Sequence, residues 1–140
     1  MIITFLLPII LVQPCIALFG FLQNPQSVAV NGTLQCEGKP AHHVKVKMVA
    51  TGLLIDRTLD KGETDSNGRF SLKGKTKAFG SIKPKVIIYH KCRHTGRCYR
   101  VQTLIVPKEY IIRSGNDAKI YKPKTIHLDN KVDGEKIKCL

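Results

Sequence analysis

Four residues near the middle of the chain have the side-chain types that bind zinc: His90, Cys92, His94 and Cys98. They could hold a metal ion if one strand brought them to the same face. Their neighbours are basic, however: Lys91, Arg93, Arg97 and Arg100. These positive charges repel a cation. Weighing zinc against a disulfide flanked by exposed histidines, we favour the disulfide and predict no metal site.

A calcium loop is the second candidate, because Asp65-Ser66-Asn67-Gly68 resembles the start of one. The later ligand positions and the closing glutamate are missing. Asn-Gly is instead a strong signal for a tight turn between strands. We therefore predict a turn at this position.

Asn31-Gly32-Thr33 is the only N-glycosylation sequon in the chain. Strand alternation places Asn31 on the face opposite Val30, where an exposed side chain could carry a glycan in an exported protein. The sequence marks Asn31 as a candidate glycosylation site and leaves open whether it is used.

No set of nucleophile and base is evident. His42 and His43 have no obvious serine or aspartate partner, and adjacent residues of a strand point to opposite faces. His127 stands between Ile126 and Leu128, which predicts a position on the solvent face of a sheet. We predict no catalytic residue, no enzymatic activity and no cofactor.

Positive charge is the feature with the clearest functional meaning. The 140-residue chain has 23 Lys and Arg and 10 Asp and Glu, a net charge of +13. The stretch from Ser66 to Lys108 contains 11 basic and no acidic residues. This predicts a basic binding face formed by Lys73, Lys75, Lys77, Lys83, Lys85, Lys91, Arg93, Arg97 and Arg100. Such a face attracts an anionic partner: acidic phospholipid, glycan or protein.

The N-terminal segment predicts that this partner is outside the cell. Residues 1–12 are almost wholly apolar and small residues follow, which is typical of a secretory signal peptide. Cleavage is expected after Ala17 or after Gly20, and an uncleaved anchor is the alternative. Residues 18–140 then form a single secreted domain, at the cell surface or in the extracellular space, and nucleic acid is not its physiological partner.

Cleavage also changes the cysteine count, because Cys15 is lost and four cysteines remain. An even number in an exported protein predicts two disulfides, for which three pairings exist. Cys92 and Cys98 flank a turn-like stretch, so a bridge across the mouth of a hairpin is the simplest geometry. We therefore predict Cys92–Cys98, which leaves Cys36–Cys139.

The rest of the chain alternates apolar and polar residues with period two, as in Val44 to Met48. Val86–Tyr89 and Val101–Val106 should form a hairpin, and short strands are expected from Leu53 and around Ile126. The Ser114–Asp117 region and the tail after Asp129 are predicted as loops. Some seven short strands separated by turns predict an all-β sandwich.

Several segments together resemble the transthyretin-like family secreted by nematodes. The matching pieces are residues 28–40, 44–47, 64–70 and 84–92 and the terminal Cys139-Leu140. The resemblance implies a disulfide-stabilised prealbumin-like sandwich of seven to eight strands. Hydroxyisourate hydrolases related to transthyretin end in a Tyr-Arg-Gly-Ser type motif, whereas this chain ends Lys138-Cys139-Leu140. The resemblance therefore implies a non-enzymatic binding or bridging protein, or alternatively a carrier of small apolar ligands.

Overall fold

The computed structural model describes residues 23–51, 55–113 and 119–140. The predicted signal peptide, the first two residues of the expected third strand (Leu53 and Leu54) and the predicted loop at Ser114–Asp117 lie outside these residues.

Within the described residues the structure consists of β-strands and one short 3₁₀ turn at Lys108–Tyr110. The strands are β1 (Gln23–Cys36), β2 (Lys39–Pro40), β3 (Lys45–Thr51), β4 (Arg57–Glu63), β5 (Arg69–Phe79), β6 (Lys83–His90), β7 (Tyr99–Ile105), β8 (Ile112–Arg113), β9 (Ile120–Tyr121), β10 (Ile126–His127) and β11 (Lys136–Lys138). Six of them have seven or more residues, and the other five have two or three.

The strands form two sheets. The first is built on the long strand β1, which runs antiparallel to β5 from the pair Gln23–Phe79 to the pair Thr33–Arg69. The short strands β2, β8, β9 and β10 also pair with β1. The second sheet is antiparallel, in the order β11-β7-β6-β3-β4.

The hydrophobic core lies between the two sheets. Alternation along β1 turns Val28, Val30 and Leu34 inward, and β3 and β6 turn Met48 and Ile88 towards them. All five side chains are fully buried. The predicted all-β, disulfide-stabilised sandwich is therefore confirmed.

One glycine in the first sheet is needed for close packing. The Phe70 ring lies against Gly32, its direct partner on β1, and a Cβ at that position would be 2.4 Å from the ring. A larger residue at Gly32 would therefore force the Phe70 ring to shift.

The predicted hairpin is confirmed, since β6 pairs with β7 from Lys85–Ile105 to His90–Arg100. The predicted third strand begins later than expected, because Ile55 lies in an exposed bend and β4 starts at Arg57. The loop prediction for the tail is wrong for one segment. Lys136–Lys138 forms β11 and extends the second sheet at the edge of β7.

The predicted disulfide pairing is wrong. The observed bridges are Cys36–Cys92 and Cys98–Cys139. Cys92 follows β6 into the core, where Cys36 at the end of β1 meets it from the other sheet. Cys98 precedes β7, and the β11–β7 register continues past Lys138–Tyr99 to bring Cys139 beside it. The two cysteines of the hairpin therefore bridge to different parts of the fold.

Candidate functional site

Lysines from four strands lie on the outer face of the second sheet. Directly paired residues of an antiparallel sheet share a face. One row across the sheet contains Glu63, Lys45, Tyr89, Val101 and Lys136 in register. The neighbouring rows add more lysines. We define the lysine face as Lys45, Lys47, Lys61, Lys83, Lys85, Lys91, Lys136 and Lys138.

The charge on this face is almost uncompensated. Among the paired strand residues that form it, Glu63 opposite Lys45 is the one acidic side chain. Neighbouring strands are about 4.8 Å apart, and alternate residues of a strand are about 6.6 Å apart. The ammonium groups thus share one face of the sheet and lie within a few Debye lengths of one another.

Aromatic rings lie between the lysines. Tyr89 is only 9% exposed and meets Tyr99 edge to face, with 6.5 Å between the ring centroids. The Lys91 ammonium is 4.8 Å from the centroid of the Tyr99 ring, and that of Lys45 is 5.7 Å from it, both within cation–π range. An open groove of about 460 Å³ runs past Tyr89 and Leu140. The lysine face therefore combines positive charge with a partly apolar centre.

The predicted basic residues do not form one face. Lys83, Lys85 and Lys91 belong to the lysine face. Lys73, Lys75 and Lys77 lie on β5, on the outer face of the opposite sheet, paired with β1. Arg93 and Arg97 are exposed in the loop between β6 and β7. Arg93 contacts Glu37 at 2.8 Å, and this carboxylate raises its pKa.

Arg100 was predicted on the basic face, and this is wrong. It is 4% exposed because it pairs with His90 on the inward side of the hairpin. Its guanidinium donates to both Glu135 oxygens, at 2.8 and 3.2 Å, and to the Cys92 carbonyl at 2.7 Å. Arg100 is therefore neutralised inside the sandwich and is not available to a ligand.

His90 belongs to the same buried cluster. Its Nδ1 accepts a hydrogen bond from the Cys92 N–H at 3.1 Å, which leaves the proton of the neutral ring on Nε2. Within the described residues, His90 Nε2 and Gln102 Oε1 have no hydrogen-bond partner. Burial lowers the His90 pKa to about 4, aided by Arg100 and His94 and opposed by Glu135. The ring is therefore neutral at physiological pH.

Five lysines of the lysine face are missing from the predicted set: Lys45, Lys47, Lys61, Lys136 and Lys138. Lys45 and Lys47 lie outside the acid-free stretch, although their alternation with Val46 already indicated one wet side. Lys136 and Lys138 alternate around Ile137, but three residues are too few to predict a strand.

The other candidate sites have structural explanations. Asp65 Oδ1 accepts hydrogen bonds from the backbone N–H groups of Asn67 and Arg69, both at 2.9 Å, and these bonds lower its pKa. Gly68 has φ +73°, so the segment is a tight turn, as predicted. The zinc alternative fails because both of its cysteines are in disulfides.

The remaining candidate residues lie on strands or exposed turns. Asn31 is half-buried on the outer face of β1, where its Oδ1 accepts a hydrogen bond from the Ser71 hydroxyl at 2.8 Å. Its glycosylation stays a prediction. His42 and His127 are exposed, and His43 is 3.6 Å from Glu63.

No cluster of three or more His, Cys, Asp or Glu side chains in residues 23–51, 55–113 and 119–140 could hold a metal ion. Over the same ranges, no helix is long and apolar enough to cross a membrane.

Comparisons with known proteins agree on one family. Residues 31–107 match the model of the transthyretin-like family. Transthyretin-like protein 2 of Caenorhabditis elegans is 37% identical over 89% of this chain and 90% of its own length. Transthyretin-like protein 5 of the same nematode is 34% identical over 87% and 90%, respectively. A 9R-lipoxygenase from Cyanothece, at a TM-score of 0.40 and 21% identity over 74% of this chain and 16% of its own, is too distant to support a conclusion. The chain belongs to the transthyretin-like family.

Proposed function

We propose that this protein is a secreted, non-enzymatic binding module that holds an anionic cell-surface ligand on its lysine face. The single observation that carries the proposal is the face itself: eight lysines from four strands and one loop, with Glu63 as the one acid among its paired strand residues. Export is supported by the apolar N-terminal segment and by the two disulfides.

Absence of catalysis is supported by two observations. The relatives of this chain carry the names of transthyretin-like proteins and not of hydrolases. The thiol of Cys92, whose N–H bonds to the buried His90 ring, is also not available as a nucleophile, because Cys92 is in a disulfide.

The shape of the face favours an anionic lipid surface as the ligand. Lysines that share one face of a sheet can approach a layer of headgroups together, and each basic residue near such a surface contributes about 1 kcal/mol. The partly exposed Tyr99 ring and the exposed Leu140 side chain suit the boundary between headgroups and acyl chains, where amphipathic side chains are favoured.

The test is sedimentation of the oxidised protein with phosphatidylserine-containing and purely zwitterionic vesicles. The face variant is K47Q/K61Q/K136Q, and the matched control is K73Q/K75Q/K77Q, which removes the same charge from the opposite sheet. We expect the face variant to bind anionic vesicles about a hundredfold more weakly, because three lysines contribute about 3 kcal/mol. The control should change several-fold at most, and binding of the wild type should weaken as salt rises.

Equal losses in the two variants, or binding that does not depend on salt, would contradict the proposal. Heparin is measured in parallel. Binding of heparin without binding of vesicles would keep the lysine face as the site and overturn the lipid assignment. Arg100 is left unchanged, because a substitution of this buried residue would report on folding.

A further inference from the structure

A second site lies at the end of the sandwich away from the buried His90 cluster. An apolar cleft of about 400 Å³ opens where β6 begins and β7 ends. This volume is within the range of about 300–1,000 Å³ that is typical of small-molecule sites. We name it the β6–β7 cleft, and its lining is Thr51, Ile82, Lys83, Pro84, Lys85, Ile105, Val106, Pro107, Lys108 and Ile111.

The base of the cleft is buried and apolar. Ile82 and Val106 are 2% and 3% exposed, and Ile82 packs with Ala50, Ala78 and Ile111 in a small secondary core. The hydrogen bond from Val106 N–H to the Pro84 carbonyl, at 3.1 Å, joins the two strands of the base. A cleft supported in this way does not need to be formed by its ligand.

The mouth of the cleft has an unusual combination of groups. Ile105 is 75% exposed, so a large apolar side chain is exposed to solvent beside an apolar cleft. Lys83, Lys85 and Lys108 also line it, and none of them takes part in an ion pair within the described residues. Glu109 follows Lys108 in the chain but does not line the cleft.

We propose that the β6–β7 cleft binds a single-chain anionic amphiphile of the fatty-acid class. The alkyl chain lies between Ile82, Val106 and Ile111, and the carboxylate lies among the three lysines. The apolar base accounts for the chain, and the unpaired positive charge at the mouth accounts for an anionic rather than a neutral or cationic head. The site does not depend on the proposed membrane contact, although Lys83 and Lys85 belong to both surfaces.

The test is an NMR titration of the methyl groups of Ile105, Val106 and Ile111 with octanoate, decanoate and dodecanoate below their micelle concentrations. We expect saturable shifts at these methyl groups and an affinity that rises about fourfold per added CH₂ until the cleft is full. Decyltrimethylammonium has the same chain length with the opposite charge. It should bind at least tenfold more weakly than decanoate.

Ile105→Glu places a carboxylate at the mouth and should weaken decanoate binding at least tenfold. Ile137→Glu is the matched control, because Ile137 is also an exposed isoleucine, 58% exposed, near the other end of β7. It should leave binding unchanged. The K47Q/K61Q/K136Q variant should also keep decanoate binding, so this test is independent of the vesicle test.

The proposal would be overturned if no carboxylate bound saturably, if the anionic and cationic amphiphiles bound equally, or if Ile105→Glu did not weaken the binding of decanoate. Equal binding would indicate unspecific adsorption to exposed apolar surface. Shifts confined to methyl groups outside the cleft would place the ligand elsewhere and would also contradict it.

Discussion

At the scale of single residues, the β6–β7 hairpin buries a positive charge, that of Arg100, together with a carboxylate that neutralises it. Arg100 and Glu135 form an ion pair whose side chains are 5% and 8% exposed. Burying two charges is costly, and the hydrogen bond from Arg100 to the Cys92 carbonyl offsets part of that cost. His90 faces the same guanidinium and is neutral, chiefly because burial removes water from its ring and lowers its pKa, and further because the charge of Arg100 disfavours a second positive charge.

His90 should therefore make stability depend on pH. Its pKa is lowered from 6.5 to about 4 in the folded state, so the unfolded chain binds more protons in the window between these values. Stability is full above about pH 6.5 and falls as the pH drops towards 4. Between pH 7.5 and 4.5 we expect a loss of about 2 to 3 kcal/mol in the free energy of unfolding. Urea unfolding across this range measures it.

His90→Gln is the control for this effect, because carboxyl groups titrate in the same window. The variant should lose less stability than the wild type between pH 7.5 and 4.5. NMR titration of the His90 ring gives the native pKa directly. A value near 6.5 would show that the ring is not desolvated as the structure indicates.

At the scale of elements, the short strand β11 forms an edge of the second sheet and contributes to the lysine face. This exposed three-residue strand closes the edge of the second sheet with two lysines, and charged side chains discourage pairing with another chain. It also contributes Lys136 and Lys138 to the lysine face, and it follows directly after Glu135, the partner of Arg100. The Cys98–Cys139 bridge holds it beside β7.

Removal of this bridge should free the strand without unfolding the sandwich. In C98S/C139S we expect amide exchange at residues 136–138 to become much faster, while the amides shared by β3 and β6 keep their protection. C36S/C92S is the comparison, because that bridge joins the two sheets through the core and its loss should speed exchange throughout. Unchanged protection at residues 136–138 in C98S/C139S would show that pairing alone holds β11.

At the scale of the whole molecule, alternation predicted the sandwich because strands such as β3 and β5 have one apolar side and one solvent-facing side. Alternation could not show which side of a strand faces solvent where polar and apolar residues occur on both sides. This is the case in β7, where Arg100 and Gln102 are buried and Ile105 is exposed. The two disulfides were predicted, but their pairing was wrong for a related reason. Cys92 and Cys98 are close in sequence, but the connectivity depends on tertiary pairings that no local pattern encodes.

The distribution of charge over the molecule suggests a conflict between binding and stability. Lys47 and Lys61 are directly opposite each other on β3 and β4, and like charges in such a pair are destabilising. Lys61→Glu turns this repulsion into attraction and should raise the free energy of unfolding by about 0.5–1 kcal/mol at low salt. The gain should shrink as salt is added, because these side chains are at the surface.

Lys75→Glu is the matched control, because Lys75 is opposite the neutral Ser27 on the other sheet. It makes the same change in net charge without a cross-strand lysine partner, so its effect on the urea midpoint should be smaller. If Lys61→Glu stabilises the fold and weakens binding to anionic vesicles, the repulsion on the lysine face is retained for binding. An equal or larger gain from Lys75→Glu would assign the effect to net charge and would remove the local conflict at Lys47 and Lys61.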